Sequence, residues 1–120
     1  MLIERTEYMS LLEKWRGKKI IKVVTGIRRC GKSSLLRMFK DKILTDGVSK
    51  EQVVELNFED LDNEPLLNYK ALHTHLKQRL QRDRMNYFFL DEIQMVDGFP
   101  KVIDSLFLLD NVDIYLTGSN

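Results

Sequence analysis

The chain has 120 residues, of which 43% are apolar and 31% are charged, a composition typical of one soluble globular domain. No apolar run approaches the roughly 18 residues of a membrane-spanning helix, and an N-terminus with Glu4 and Glu7 does not read as a signal peptide. The single cysteine excludes an internal disulfide, so we expect a cytoplasmic protein with no membrane partner.

The net charge of +1 conceals an uneven distribution of charge along the chain. Residues 1–50 carry 13 Lys and Arg against 5 Asp and Glu, a net +8, whereas residues 51–120 carry 6 against 13, a net −7. One interpretation is a basic surface that binds nucleic acid. The interpretation that we favour is a basic half around a phosphate site and an acidic half that supplies carboxylates beside a metal ion.

An apolar stripe predicts a helix over residues 4–16. Its members recur at the i, i+3, i+4, i+7 spacing of one helical face: Tyr8, Leu11, Leu12 and Trp15. Gly17 follows and would end the helix. Two roles are open for this leading segment, residues 1–18. It covers an adenine ring with Trp15 or Tyr8 nearby, or it packs on the sheet with its aromatic side chains in the core.

The next two elements enclose a glycine-rich loop. A β-branched run predicts a buried first strand over residues 20–25, and an apolar helical pattern continues from the loop to about Leu44. Between them, residues 26–33 fit G-x-x-x-x-G-K-[ST], the phosphate-binding P-loop. A strand, this loop and a helix form the context in which the motif binds a nucleotide.

The residue types of the P-loop each have a physical reason. Gly26 and Gly31 allow a tight turn and a close approach of the backbone to a polyphosphate, and inward N–H groups with a helix N-terminus attract the anion. Lys32 would reach the β- and γ-phosphates as a catalytic residue, and the Ser33 hydroxyl would complete a Mg²⁺ site. We predict these nucleotide-binding residues: Gly26, Ile27, Arg28, Arg29, Cys30, Gly31, Lys32, Ser33 and Ser34.

Further strands and helices alternate in the rest of the chain. Strands are predicted over residues 52–58, 86–91 and 112–117, and helices over residues 68–82 and from Phe99 onward. The strand 52–58 alternates apolar and polar residues, which suits a sheet edge. The acidic loop 59–65 either approaches the nucleotide or is a solvated connection. Alternating strands and helices predict an α/β fold with a parallel sheet.

A second motif follows the continuous apolar strand 86–91. This strand ends in Asp91, and Glu92 comes next. Carboxylates at the carboxyl end of a central parallel strand lie where open α/β sheets bind ligands. Asp91 would hold Mg²⁺, mostly through water, and Glu92 would orient and polarise an attacking water as the catalytic residue.

One strand separates the P-loop strand from the Asp-Glu strand, and this order resembles the additional-strand catalytic-glutamate class of P-loop ATPases. The resemblance implies a three-layer α/β/α core whose strand order here is 1-4-3-2, the fifth strand of that class being missing. It also places Ser119 or Asn120 beside the γ-phosphate as a polar sensor in catalysis. Otherwise the terminal Gly118-Ser119-Asn120 is an ordinary turn.

The resemblance narrows to prokaryotic AAA-type ATPases with a C-terminal domain of unknown role. Four segments carry it: residues 24–36, 57–60, 89–94 and 116–119. It implies ATP or ADP and Mg²⁺ as cofactors, and residues 20–120 as a truncated nucleotide-binding core within the N-terminal portion of such a domain. We therefore expect ATP binding with slow hydrolysis, coupled to the missing C-terminal domain or to nucleic acid. The alternative is a nucleotide-gated switch with little turnover.

Two partners are left open by the loop arginines and by strand 20–25. Arg28 and Arg29 could contact phosphate, a neighbouring subunit or nucleic acid, or lie exposed in solvent. Without a fifth strand, strand 20–25 would be an apolar edge open to pairing with another copy of the chain. A homo-oligomer is therefore a possible state of the protein.

Overall fold

The structure, a computed structural model, describes residues 5–25 and 31–118, apart from the side chains of residues 5, 6, 32 and 33. Helices and strands alternate as the sequence predicts. In chain order they are α1 (Arg5–Trp15), β1 (Lys22–Thr25), α2 (Lys32–Thr45), β2 (Val53–Asn57), α3 (Tyr69–Gln78), β3 (Asn86–Asp91), α4 (Phe99–Phe107) and β4 (Val112–Gly118). Within these residues, no helix is long and apolar enough to cross a membrane.

The four strands form one parallel sheet in the order β1-β4-β3-β2, which confirms the α/β fold and the predicted 1-4-3-2 arrangement. Strand β2 lies at one edge, as its alternating pattern indicates, with Val54 and Leu56 buried and Glu55 exposed. Strands β3 and β4 lie in the middle, and every residue of β3 is buried. The carboxyl ends of all four strands therefore lie along one border of the sheet.

Helices cover both faces of the sheet and give the three layers that were predicted. On one face, α1 and α2 pack against alternate residues of the strands, whose buried members are Val24, Tyr87, Phe89 and Tyr115. On the other face, α3 and α4 pack against the remaining set: Val54, Leu56, Phe88, Leu90, Ile114 and Leu116. The two middle strands, β3 and β4, thus contribute buried side chains to both cores in alternation, as the period of two requires.

The prediction of a buried first strand is correct for only part of it. Val24 is 5% exposed, but its neighbour Val23 is 56% exposed. Val23 pairs with Leu116 on the face that α3 and α4 cover, yet the core beneath those helices draws its strand side chains from β2, β3 and β4. Strand β1 therefore presents one bare apolar position at the edge of the described sheet.

The leading helix fulfils only part of its prediction. Leu12 is buried against α2 and Tyr8 packs beside it, whereas Leu11 and Trp15 are 46% and 36% exposed. Trp15 lies near the amino ends of the strands, because the next residue, Arg16, bonds Asp46 just beyond the end of α2 at 2.8 Å. Trp15 is therefore neither a core residue nor near Asp91 at the opposite border.

A buried polar cluster fastens the end of α1 to the amino ends of β1 and β4. The Lys22 ammonium pairs with the Asp113 carboxylate and also donates to the Lys18 carbonyl at 2.7 Å. The Asp113 carboxylate accepts further bonds from Gly17 N–H at 2.8 Å and from the Tyr115 hydroxyl at 2.7 Å. Burial, reinforced by the Asp113 charge, raises the pKa of the Tyr115 phenol, so it stays a donor.

We expect Asp113→Asn to lower the free energy of unfolding by about 3–5 kcal/mol, because the Lys22 ammonium would stay buried without its counter-charge. The double variant with Lys22→Met should recover part of that loss, since no charge is then left unpaired. Urea unfolding followed by circular dichroism measures both. Asp110→Asn is the control, because Asp110 pairs with Lys19 at 3.4 Å while fully exposed. Equal losses at the two aspartates would contradict the prediction.

Candidate functional site

Polar residues lie at the carboxyl border of the sheet, among them Asp91, which the sequence singles out. Val24 pairs with Thr117 across β1 and β4, and Asn57 pairs with Asp91 across β2 and β3. A side-chain hydrogen bond from Thr117 to Asp91 joins the two pairs in the middle. A row of residues at one level therefore crosses the sheet where parallel α/β folds bind ligands.

Helix α2 begins as the P-loop prediction requires. Gly31 precedes it with a φ of 76° and a ψ of 32°, a left-handed conformation that favours glycine. Its carbonyl accepts the Leu35 N–H at 2.9 Å, so the helix starts at Lys32. Ser34 is exposed on the first turn. A helix N-terminus that follows a strand and a left-handed glycine is suited to binding an anion.

The roles of several predicted site residues stay predictions, because these residues or their side chains lie outside the described part of the chain. Gly26, Ile27, Arg28, Arg29 and Cys30 lie outside the described residues, and so do Ser119 and Asn120. The side chains of Lys32 and Ser33 are likewise outside the described part of the chain. What the structure adds is the placement of the segments on either side: β1 ends at Thr25 and α2 starts at Lys32.

Asp91 lies at the end of the buried strand β3, on the face that α2 covers. It is 7% exposed, and its Oδ1 accepts a hydrogen bond from the Thr117 hydroxyl. Leu36 and Arg37 of α2 line the same cavity as Asp91. The carboxylate is thus held between the middle of the sheet and the N-terminal half of the P-loop helix.

Glu92 has an unusual backbone. Its φ of 59° and ψ of 51° are left-handed, a conformation that costs a non-glycine residue roughly 1–2 kcal/mol. Its N–H donates to the Thr117 hydroxyl oxygen at 2.9 Å, and its Oε1 accepts from the Gln94 amide at 2.9 Å. The residue is only 3% exposed. The turn therefore buries the Glu92 side chain at the carboxyl border of the sheet.

A polar cavity of about 230 Å³ opens beside Asp91. Its walls come from α2, β2, β3 and the segment after β2: Leu36, Arg37, Glu55, Asn57, Asp60, Asn63, Phe89 and Asp91. The predicted acidic loop is ordered here, because Asp60 caps a 3₁₀ helix, Leu61–Leu66, by accepting the Asp62 N–H at 2.9 Å. Asp60 lines the cavity while being exposed, and an approach of this loop to a nucleotide stays a prediction.

The donor set fits the Mg²⁺ ion that the resemblance implies. Such an ion keeps several waters and takes one or two protein oxygens, and the buried Asp91 carboxylate faces a cavity that can hold water. Within the described residues, no group of three or more His, Cys, Asp and Glu could form a metal cage. One buried carboxylate beside a polar cavity is compatible with an ion that keeps most of its waters.

Two residues of the site escaped the sequence analysis. Thr117 links Asp91 and Glu92. Its position near the carboxyl end of a central strand was the sequence signal that could have identified it. Gln94 bonds Glu92 from two residues further along the chain. That contact depends on the left-handed turn at Glu92, which no local pattern predicts.

The left-handed turn predicts that glycine stabilises position 92 relative to alanine, the reverse of the usual order of these two residues. We expect Glu92→Gly to be more stable than Glu92→Ala by as much as about 1 kcal/mol, because glycine adopts a φ of 59° without a Cβ clash. Both variants lose the Gln94 contact equally. At Thr74, exposed on α3, the Gly variant should instead be less stable than the Ala variant by about 0.5–1 kcal/mol. Thermal unfolding of the four variants tests whether the order reverses.

The comparisons with known proteins agree with this geometry. A family model described as an AAA domain matches residues 18–120. The chain is 32% identical over 120 residues to an uncharacterized protein of Haemophilus influenzae, an alignment that covers 99% of this chain. The chain spans only 30% of the length of that relative, and no solved structure matches significantly. The chain belongs to the AAA domain family, whose members are ATPase-like nucleotide-binding proteins.

Proposed function

We propose that this chain binds ATP or ADP with Mg²⁺ and hydrolyses ATP to ADP and phosphate. The observation that carries the proposal is the buried Asp91-Glu92 pair at the end of β3, fixed by Thr117 beside the helix that follows the P-loop sequence. We favour hydrolysis over a pure nucleotide switch because a switch does not need a water-activating carboxylate. Glu92 is such a carboxylate, and it lies directly after Asp91, the residue proposed to hold the metal ion.

The main predicted residues have separate roles in this proposal. The loop from Gly26 to Gly31 supplies N–H groups to the phosphates, and Lys32 supplies a charge to the β- and γ-phosphates. Bound Mg²⁺ would neutralise charge on the transferring phosphoryl group. Ser33 and Asp91 are the groups proposed to hold that ion, Asp91 mainly through water.

Glu92 is the residue proposed to act on water. Its carboxylate would accept a hydrogen bond from the attacking water, orient that water toward the γ-phosphate and take its proton. Ser119 or Asn120, just beyond the end of β4, would donate to the γ-phosphate as the sensor. Burial of Glu92 keeps bulk water from competing for this carboxylate.

The proposal extends to partners, among them a C-terminal domain of the kind that the resemblance implies. Hydrolysis would drive movement of a C-terminal domain or of nucleic acid, and the basic residues 1–50, with a net +8, are compatible with a polyanion. Val23 at the bare edge of β1 is compatible with a homo-oligomer or with a further strand of the same chain.

We expect Lys32→Ala to weaken binding of labelled ATP and ADP at least tenfold, because the charge-assisted bonds of a lysine to phosphate contribute about 1.5–3 kcal/mol each. Equilibrium titration in the presence of Mg²⁺ measures the loss. Lys42→Ala is the matched control, since Lys42 lies near the other end of α2 and contacts Glu13 and Asp46. Binding that Lys32→Ala leaves intact would refute the role of the loop.

We expect Glu92→Gln to bind ATP with an affinity within about twofold of the wild type and to release phosphate roughly 10²- to 10⁴-fold more slowly, the size of a general-base contribution. The amide keeps the shape of the side chain but cannot take a proton. Single-turnover release of phosphate from bound ATP measures the chemical step even when the turnover is slow. Unchanged release in this variant would exclude Glu92 as the catalytic base.

A further inference from the structure

The side-chain amide of Gln94 occupies a corner between the ends of β3 and β4. Its Nε2 donates to Glu92 Oε1 at 2.9 Å. Its Oε1 lies 3.2 Å from where a Cβ on Gly118 would be, so glycine there leaves room for the amide. A carboxylate only accepts hydrogen bonds, so the NH₂ end of Gln94 must face Glu92 and the carbonyl end must face Gly118.

The backbone beneath Gln94 is fixed even though the side chain is exposed. Gln94 is the middle residue of a 3₁₀ helix, Ile93–Met95, that starts directly after Glu92. The flanking Ile93 and Val96 are 5% and 1% exposed and belong to the core under α3 and α4. The Met95 N–H donates to the Glu92 carbonyl at 3.1 Å, which closes the turn. The Gln94 amide therefore contacts Glu92 from a backbone segment whose position is fixed by packing and hydrogen bonding.

The backbone of Glu92 is fixed, because Thr117 holds its N–H. The terminal torsion of a glutamate has only a broad, two-fold preference of its own, so the contacts of the carboxylate decide how it is turned, and the Gln94 amide is one of them. A donor on Oε1 helps to fix the plane of the carboxylate and so the direction in which a lone pair meets a water. A small misplacement of a catalytic group can cost about 10²-fold in rate.

We propose that Gln94 is a positioning residue for Glu92 and that its hydrogen bond contributes to the orientation of the carboxylate during ATP hydrolysis. The inference rests on the proposed function, because it gives Gln94 a role only through Glu92. Gln94 does not touch the nucleotide in this proposal. Its loss should therefore lower the rate of the chemical step and leave nucleotide affinity unchanged.

The test compares Gln94→Met with the wild type in single-turnover hydrolysis and in ATP titration. Methionine keeps the length of the side chain and removes the donor. We expect a roughly 10- to 100-fold fall in the rate of phosphate release and an ATP dissociation constant within about twofold. Met95→Ala, at a neighbouring position that is 47% exposed, is the control and should keep both values. Thermal melting confirms that the two variants are folded.

A second measurement needs no turnover. In a ¹⁵N–¹H spectrum, the Gln94 side-chain amide should give a downfield proton that moves when Glu92→Ala removes its acceptor. The Lys70 to Lys77 backbone signals on α3 should stay in place. An amide signal that does not respond to Glu92→Ala would overturn the contact itself.

The outcomes separate this inference from the proposed function. A wild-type chain that binds ATP without releasing phosphate would overturn both. A wild type that hydrolyses ATP, with Glu92→Gln inactive and Gln94→Met as fast as the wild type, would overturn the Gln94 role alone. A faster Gln94→Met would also overturn it, since the hydrogen bond would then restrain Glu92 in an unproductive orientation.

Discussion

The hydroxyl of Thr117 is the interaction on which the carboxyl border of the sheet depends. It donates to Asp91 and accepts from the backbone of Glu92, and it is fully buried between the two middle strands. A hydroxyl can do both because it carries one donor and two acceptor positions. Valine would fill the same space but would leave a buried N–H without a partner, which costs about 1–3 kcal/mol. One oxygen thus fixes two carboxylate-bearing residues relative to the same strand.

Strand β4 connects this border to the opposite one. On the face toward α1 and α2 it carries Asp113, Tyr115 and Thr117, while Ile114 and Leu116 face the other core. Asp113 fastens the turn after α1, Tyr115 stacks on a neighbouring aromatic ring of β3, and Thr117 organises the candidate site. The described residues contain no buried side-chain polar atom without a hydrogen bond, so this polar line is fully satisfied. A satisfied line of this kind rigidifies the strand along its length.

The helices, the strands and the sheet border at which the candidate site lies can be predicted from the sequence. The individual side-chain contacts at that border cannot. Periods of two and of 3.6 locate the strands and helices, because burial on one or two faces imposes those periods. The strand order followed from the resemblance, not from any pattern. The exposure of Val23 was missed, since it depends on which strands α3 and α4 happen to cover. Trp15 was misplaced for a related reason: a stripe shows an apolar face without showing how much of it a partner covers.

Glu92 shows that tertiary contacts, which no local sequence pattern encodes, decide the remaining detail of the site. A left-handed glutamate contradicts local preference, so a reading of propensities places its side chain elsewhere. Such a conformation persists only where the surroundings over-determine it. Thr117 holds the N–H of Glu92, the 3₁₀ helix holds its carbonyl, and the buried Ile93 prevents the turn from unwinding. The same turn brings the Gln94 amide within 2.9 Å of the carboxylate. The strain and the placement of the proposed catalytic group are therefore consequences of one turn, and relaxing the strain would also release the carboxylate.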